Sequence, residues 1–139
     1  MVPILMGCAS TAYKTAMEKN TYDAYEQFLT EYPDSVYSDR ARQRIALMAF
    51  HEAQKKGTAQ AYYAFLKKYP ESDFVPKAKK KLEILAFEKA QKSDTVTAYE
   101  KFLKQYPEGA HAQTAKKAKK AKPKVKSVTF KNDRKKDTL

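Results

Sequence analysis

The chain has 139 residues, with 28 Lys and Arg against 16 Asp and Glu, three glycines and no tryptophan. That length holds one modest domain, and the single cysteine, Cys8, excludes an intramolecular disulfide. No run approaches the roughly 20 consecutive apolar residues that span a bilayer. No Ser-His-Asp set, metal-ligand cluster or phosphate-cradling loop stands out, so the sequence reads as non-enzymatic, with no cofactor and no metal.

The first stretch, "ILMGCAS", carries the L-x-G-C pattern and resembles a bacterial lipobox. There the cysteine thiol accepts a diacylglycerol and becomes the first residue of the mature protein. Only "MVPILM" precedes Gly7, whereas a secretory signal needs a basic start and an apolar stretch of about 7–15 residues. Residues 1–7 are therefore expected to be a truncated signal-peptide remnant; the competing reading is a chance match in a cytoplasmic protein. The resemblance implies lipidation at Cys8, and Ala9 in place of Asp implies the outer membrane, facing the periplasm.

From there the chain repeats itself. At an offset of 37 residues Ala24, Ala61 and Ala98 coincide, as do Tyr25, Tyr62 and Tyr99. Phe28-Leu29, Phe65-Leu66 and Phe102-Leu103 follow, then Tyr32-Pro33, Tyr69-Pro70 and Tyr106-Pro107. Upstream, Tyr13, Phe50 and Phe87 share a position, as do Ala16, Ala53 and Ala90, and Thr21, Thr58 and Thr95. Agreement at one fixed period marks a repeat array.

Each copy predicts two helices. Ala24, Tyr25, Phe28, Leu29 and Tyr32 lie on one face of a short helix of about eleven residues. Thr21 can cap its first N–H groups, and Pro33 disfavours helix at Tyr32. A longer helix of about 20 residues follows each Tyr-Pro, with Tyr37, Ala41, Ile45, Met48 and Glu52 in register in one copy and Phe74, Ala78, Leu82 and Leu85 in the next. Ser35 and Ser72 stand where its N-caps are expected. One pair buries a single side of itself, so each copy is the wall against which its neighbour packs. In the last copy Lys119 and Lys122 take the positions of Ile45 and Met48, the polar face expected of a terminal repeat.

Residues 116–139 hold eleven Lys or Arg against two Asp, a net +9 of the chain's +12. Residues 123–139 are expected to be a disordered basic tail or, from the alternation in "VKSVTF", the start of a truncated domain. The domain plan is thus 1–7, 8–122 and 123–139. The fold class expected is an all-α helical-hairpin solenoid of about three repeats, and tetratricopeptide-like in what the resemblance described next implies.

The unit running from Tyr13 through the FL-x-x-YP-[DE]-S segment resembles the tetratricopeptide-like repeats of bacterial envelope lipoproteins. Similar units occur in the outer-membrane β-barrel-assembly lipoproteins (BamD type) and in the repeat domain of the Tol-Pal accessory protein. The resemblance covers about residues 12–118, although its period of 37 exceeds the tetratricopeptide period of about 34. It implies a scaffold that docks protein partners in envelope assembly or maintenance. Arg42, Lys79 and Lys116 share one position on the long helices, and Lys80 and Lys117 another with Gln43. These cations are the candidate partner-binding residues, for an acidic peptide or for lipid headgroups. The alternative is a soluble repeat protein whose Lys-rich tail binds polyanions such as nucleic acid. His51 falls on an exposed position and His111 on a packing position, so neither reads as a ligand or a catalyst.

Overall fold

The computed structural model describes residues 5–122; the first four residues and the basic tail 123–139 lie outside them, as does the predicted character of each. Seven helices and no strand are found among the described residues: α1 (Leu5–Lys19), α2 (Tyr22–Glu31), α3 (Ser38–Lys56), α4 (Ala59–Lys68), α5 (Val75–Ser93), α6 (Val96–Gln105) and α7 (Ala112–Ala121). This is the expected all-α, tetratricopeptide-like helical-hairpin repeat. The chain forms two compact units, one ending at Ala86 and one beginning at Phe87.

The short helices start and stop for one reason in every copy. Thr21, Thr58 and Thr95 are extended N-caps, and their Oγ1 atoms accept the N–H groups of Ala24, Ala61 and Ala98 at 3.3, 3.2 and 3.1 Å. At the other end Tyr32, Tyr69 and Tyr106 leave helical geometry ahead of their prolines, with φ near −130°. Ser35 is not the N-cap of the following helix. Its Oγ accepts the N–H of Tyr37 at 3.2 Å, and Ser72 accepts that of Phe74 at 3.2 Å. The serine closes the turn two residues ahead, and α3 begins at Ser38 with Tyr37 as a cap that uses no side chain.

The long helices end on a feature that the pattern of apolar residues does not reveal. Asn20, Gly57 and Asp94 occupy one repeat position and all have positive φ, at 46°, 63° and 47°. Each N–H donates to the alanine four residues back, at 2.8–2.9 Å. Left-handed geometry at a helix end favours Gly, Asn and Asp. Asn20 Oδ1 and Asp94 Oδ1 also accept the hydroxyls of Tyr25 and Tyr99, at 3.4 and 3.0 Å.

In the first unit α3 serves two cores. Its first half sets Ala41 and Ile45 against Tyr13 of α1 and Tyr25 and Phe28 of α2. Its second half sets Phe50 and Ala53 against Tyr62 and Phe65 of α4 and Ala78 and Leu82 of α5. Each large side chain buried this way contributes about 1.5–3 kcal/mol. Two aromatic pairs stack at equivalent positions, Tyr13 on Tyr37 at 5.1 Å and Phe50 on Phe74 at 5.2 Å. Glu52, the last member of the expected apolar register, is exposed because the buried stripe has by then rotated to Ala53.

The second unit repeats the motif. Phe87, Ala90, Tyr99, Phe102, Ala112 and Ala115 are buried, and Phe87 stacks on His111 at 4.7 Å. His111 is therefore the third member of the stacked set, and His51 is exposed, as their repeat positions implied.

Candidate partner-binding surface

The cations singled out in the sequence are all exposed, Arg42, Lys79 and Lys80 in the first unit and Lys116 and Lys117 in the second. Arg42 is engaged within the fold. Its Nη1 donates to Asp39 Oδ1 at 2.9 Å and its Nη2 to the Pro33 carbonyl at 3.0 Å. That fork locks the start of α3 onto the Tyr-Pro turn. Lys116, Lys117 and Lys120 are exposed on α7, whose buried residues are Ala112 and Ala115.

Concave surface is present in the first unit. A cleft of about 500 Å³ runs between α2, α3 and the turn ahead of α5, lined among others by Leu29, Arg42, Lys68, Tyr69 and Glu71. Tyr69 packs on both cores of this unit, and its buried hydroxyl makes no hydrogen bond of good geometry among the described residues. Beside it Lys68 Nζ donates to the Tyr22 hydroxyl at 2.8 Å and sits 5.0 Å from that ring's centroid. This cation–aromatic contact clasps α2 to α4. A second depression of about 280 Å³ lies on α3, walled by Tyr13, Arg40, Arg44, Leu47, Asp73 and Phe74.

In the second unit two lysines that stand at core positions of the repeat find carboxylates instead. Lys119 Nζ lies 2.9 Å from Glu100 Oε1, and Lys122 pairs with Asp94 Oδ2. The Lys122 ammonium, and then the Tyr99 hydroxyl, hold the Asp94 carboxyl below the usual range. Burial, and then the neighbouring Asp94, push the Tyr99 phenol up.

Cys8 is exposed on α1, next to Ala9, which is buried in the first core. Among the described residues no group of three or more His, Cys, Asp or Glu could hold a metal ion. No helix there is long and apolar enough to cross a membrane.

Residues 84–109 match the tetratricopeptide repeat family model. The matched segment takes in the later part of α5, all of α6 and the Tyr-Pro turn. The 37-residue register carries the same hairpin to two earlier places, where α1–α2 and α3–α4 stand. The chain therefore contains tetratricopeptide-like repeats, and such repeats act as modules for binding other proteins. No curated protein and no solved structure matches the chain.

Sequence periodicity located every helix and the aromatic core. It missed which cations are free, because an intrahelical partner three residues away and a backbone carbonyl nine residues away leave no trace in repeat spacing. It also missed the left-handed cap, although Asn, Gly and Asp in one position was a readable signal.

Proposed function

We propose that the protein is a non-enzymatic scaffold of the bacterial envelope, docking protein partners on its hairpin repeats and held to the outer membrane through a lipidated Cys8. The repeated hairpin, with clefts opening on its surface, carries the scaffold role. Rigid helix pairs offer a preformed surface to an extended or helical segment and need little rearrangement to receive it. Kinship with the barrel-assembly lipoproteins or the Tol-Pal accessory protein belongs to this proposal and rests on the FL-x-x-YP-[DE]-S resemblance.

The junction at Cys8 supports the anchor. The first buried residue described is Ala9, while Cys8 itself faces out. Cleavage ahead of Cys8 would thus leave the described core intact and place the acyl chains at the edge of the packed helices. Several acyl chains on one cysteine hold a protein stably at a bilayer, where a single chain does so only marginally. The test is the intact mass of the detergent-extracted protein, expressed in a bacterial host with its full upstream reading frame. A chain beginning at Cys8 with added acyl mass, lost in Cys8→Ala, is the expected result; an unmodified chain that retains Met1 defeats the anchor.

A second reading draws on one observation, the exposed Lys116, Lys117 and Lys120 at the start of residues 116–139, which together carry a net +9. In it the C-terminal basic region binds polyanions. Binding to duplex DNA that weakens steeply with salt would favour it.

A further inference from the structure

The cations of α3 divide into engaged and free. Arg42 is tied to Asp39 and Pro33. Arg40 and Arg44 are exposed and have neither a hydrogen bond nor an ion pair among the described residues. They stand four residues apart, hence on one face of the helix, with Cβ atoms about 6 Å apart. Between and below them lies the 280 Å³ depression, with Leu47, Tyr13 and Phe74 as its apolar walls. Lys77 Nζ lies 5.3 Å from the ring centroid of Phe74, one of these walls. One carboxylate, Asp73, lines the same depression.

Free guanidinium groups are well suited to carboxylates, which they grip with two parallel N–H donors. The apolar walls between them suit a side chain rather than a charge. The depression is below the range of about 300–1000 Å³ typical of small-molecule pockets, and it matches one large side chain of a docked segment. We infer that it receives an acidic segment of a partner protein, with carboxylates on Arg40 and Arg44 and an aliphatic or aromatic side chain seated on Leu47 and Phe74. Asp73 decides between polyanions. A continuous row of phosphates would meet its charge, whereas a polypeptide can turn an N–H or a neutral side chain toward it. This inference rests on the scaffold reading and names the chemistry of the partner.

The test uses the full chain and a short fluorescein-labelled peptide of glutamates and leucines, with a twin in which glutamine replaces every glutamate. Fluorescence anisotropy should show the acidic peptide binding wild-type protein and the glutamine twin failing to bind. Arg40→Gln combined with Arg44→Gln should weaken binding about tenfold or more, the scale of lost charge pairs at an interface. Arg42→Gln, whose cation is already engaged, should change it by less than about twofold. Equal binding by the double variant, or equal affinity for the twin, overturns the inference. So does a wild-type protein that ignores the peptide but loses duplex DNA or phosphatidylglycerol vesicles in the double variant. Partners crosslinked in cells that persist in the double variant would overturn this site while leaving the scaffold role standing. Circular dichroism of the double variant confirms that an exposed pair has been altered without loss of helix.

Discussion

The two compact units place the same backbone positions under opposite chemistry. In the first, Ile45 is 3 % exposed and Leu82 4 %, each sealed between helices. In the second, the corresponding position holds Lys119, whose side chain is 39 % exposed and reaches Glu100. A repeat position is thus a geometric address, not a fixed environment. Where another helix covers it, the address calls for an apolar side chain; on α7 a long cation covers its surroundings with its stem and delivers its charge to a carboxylate.

The largest effect should come from breaking that contrast directly. Ile45→Ala empties a sealed site and should cost about 2–5 kcal/mol of stability. Lys119→Ala removes an exposed ion pair and should cost less than about 1 kcal/mol. Urea unfolding followed by circular dichroism measures both. Equal losses would show that the two positions are alike in energy and that the contrast is only one of residue type.

Next comes the left-handed cap, where the repeats differ by a side chain. Gly57 has φ of 63°, so Gly57→Ala should destabilise by about 1–2 kcal/mol, the cost of a Cβ in that region. Gly57→Asn should cost clearly less, because Asn20 already holds this conformation and offers its Oδ1 to the tyrosine five residues on. A thermal-melt comparison of the two variants sharpens the point; an Asn variant as unstable as the Ala variant would count against it.

The threonine caps should be worth less and should be alike. Thr21→Ala, Thr58→Ala and Thr95→Ala each remove one acceptor from a helix start and should each cost about 1 kcal/mol. A cost confined to one of the three would mean that the repeats are not equivalent in the way their hydrogen bonds indicate.

Much of this is readable in the sequence, for definite reasons. A tyrosine before proline cannot continue a helix, and a threonine ahead of an apolar face caps one, so α2, α4 and α6 had both ends written in their residues. Aromatics at a fixed period can only be core if neighbouring copies cover them, which gave the stacked set from Tyr13 and Tyr37 through to Phe87 and His111. Ser35 was misplaced because a hydroxyl two residues ahead of a turn N–H and one at a helix start look alike in sequence. Arg42 looked no different from Arg40 and Arg44, since only the folded turn brings the Pro33 carbonyl to its guanidinium. The free pair beside Leu47 and Phe74 depends on the turn after α4 approaching α3, a contact between segments some thirty residues apart.

The smallest expected effect is also the one that reads the electrostatics of the second unit. Lys122 and Tyr99 lower the Asp94 carboxyl in the folded chain, while in the unfolded chain it titrates near the ordinary aspartate value of about 3.9. Between those two values the unfolded chain binds the extra proton, so stability rises with pH there. The contribution is fully present above about pH 4 and is lost as pH falls through the lower, folded value. Asp94→Asn keeps a residue that tolerates positive φ and can still accept the Tyr99 hydroxyl, but it cannot gain or lose this charge. Acid titration followed by circular dichroism should therefore show wild-type protein losing stability below about pH 4 slightly more steeply than Asp94→Asn. Because the pair is solvent-exposed, added salt should shrink the difference. Superimposable acid curves at low salt would mean that Lys122 holds Asp94 no better in the folded chain than water does.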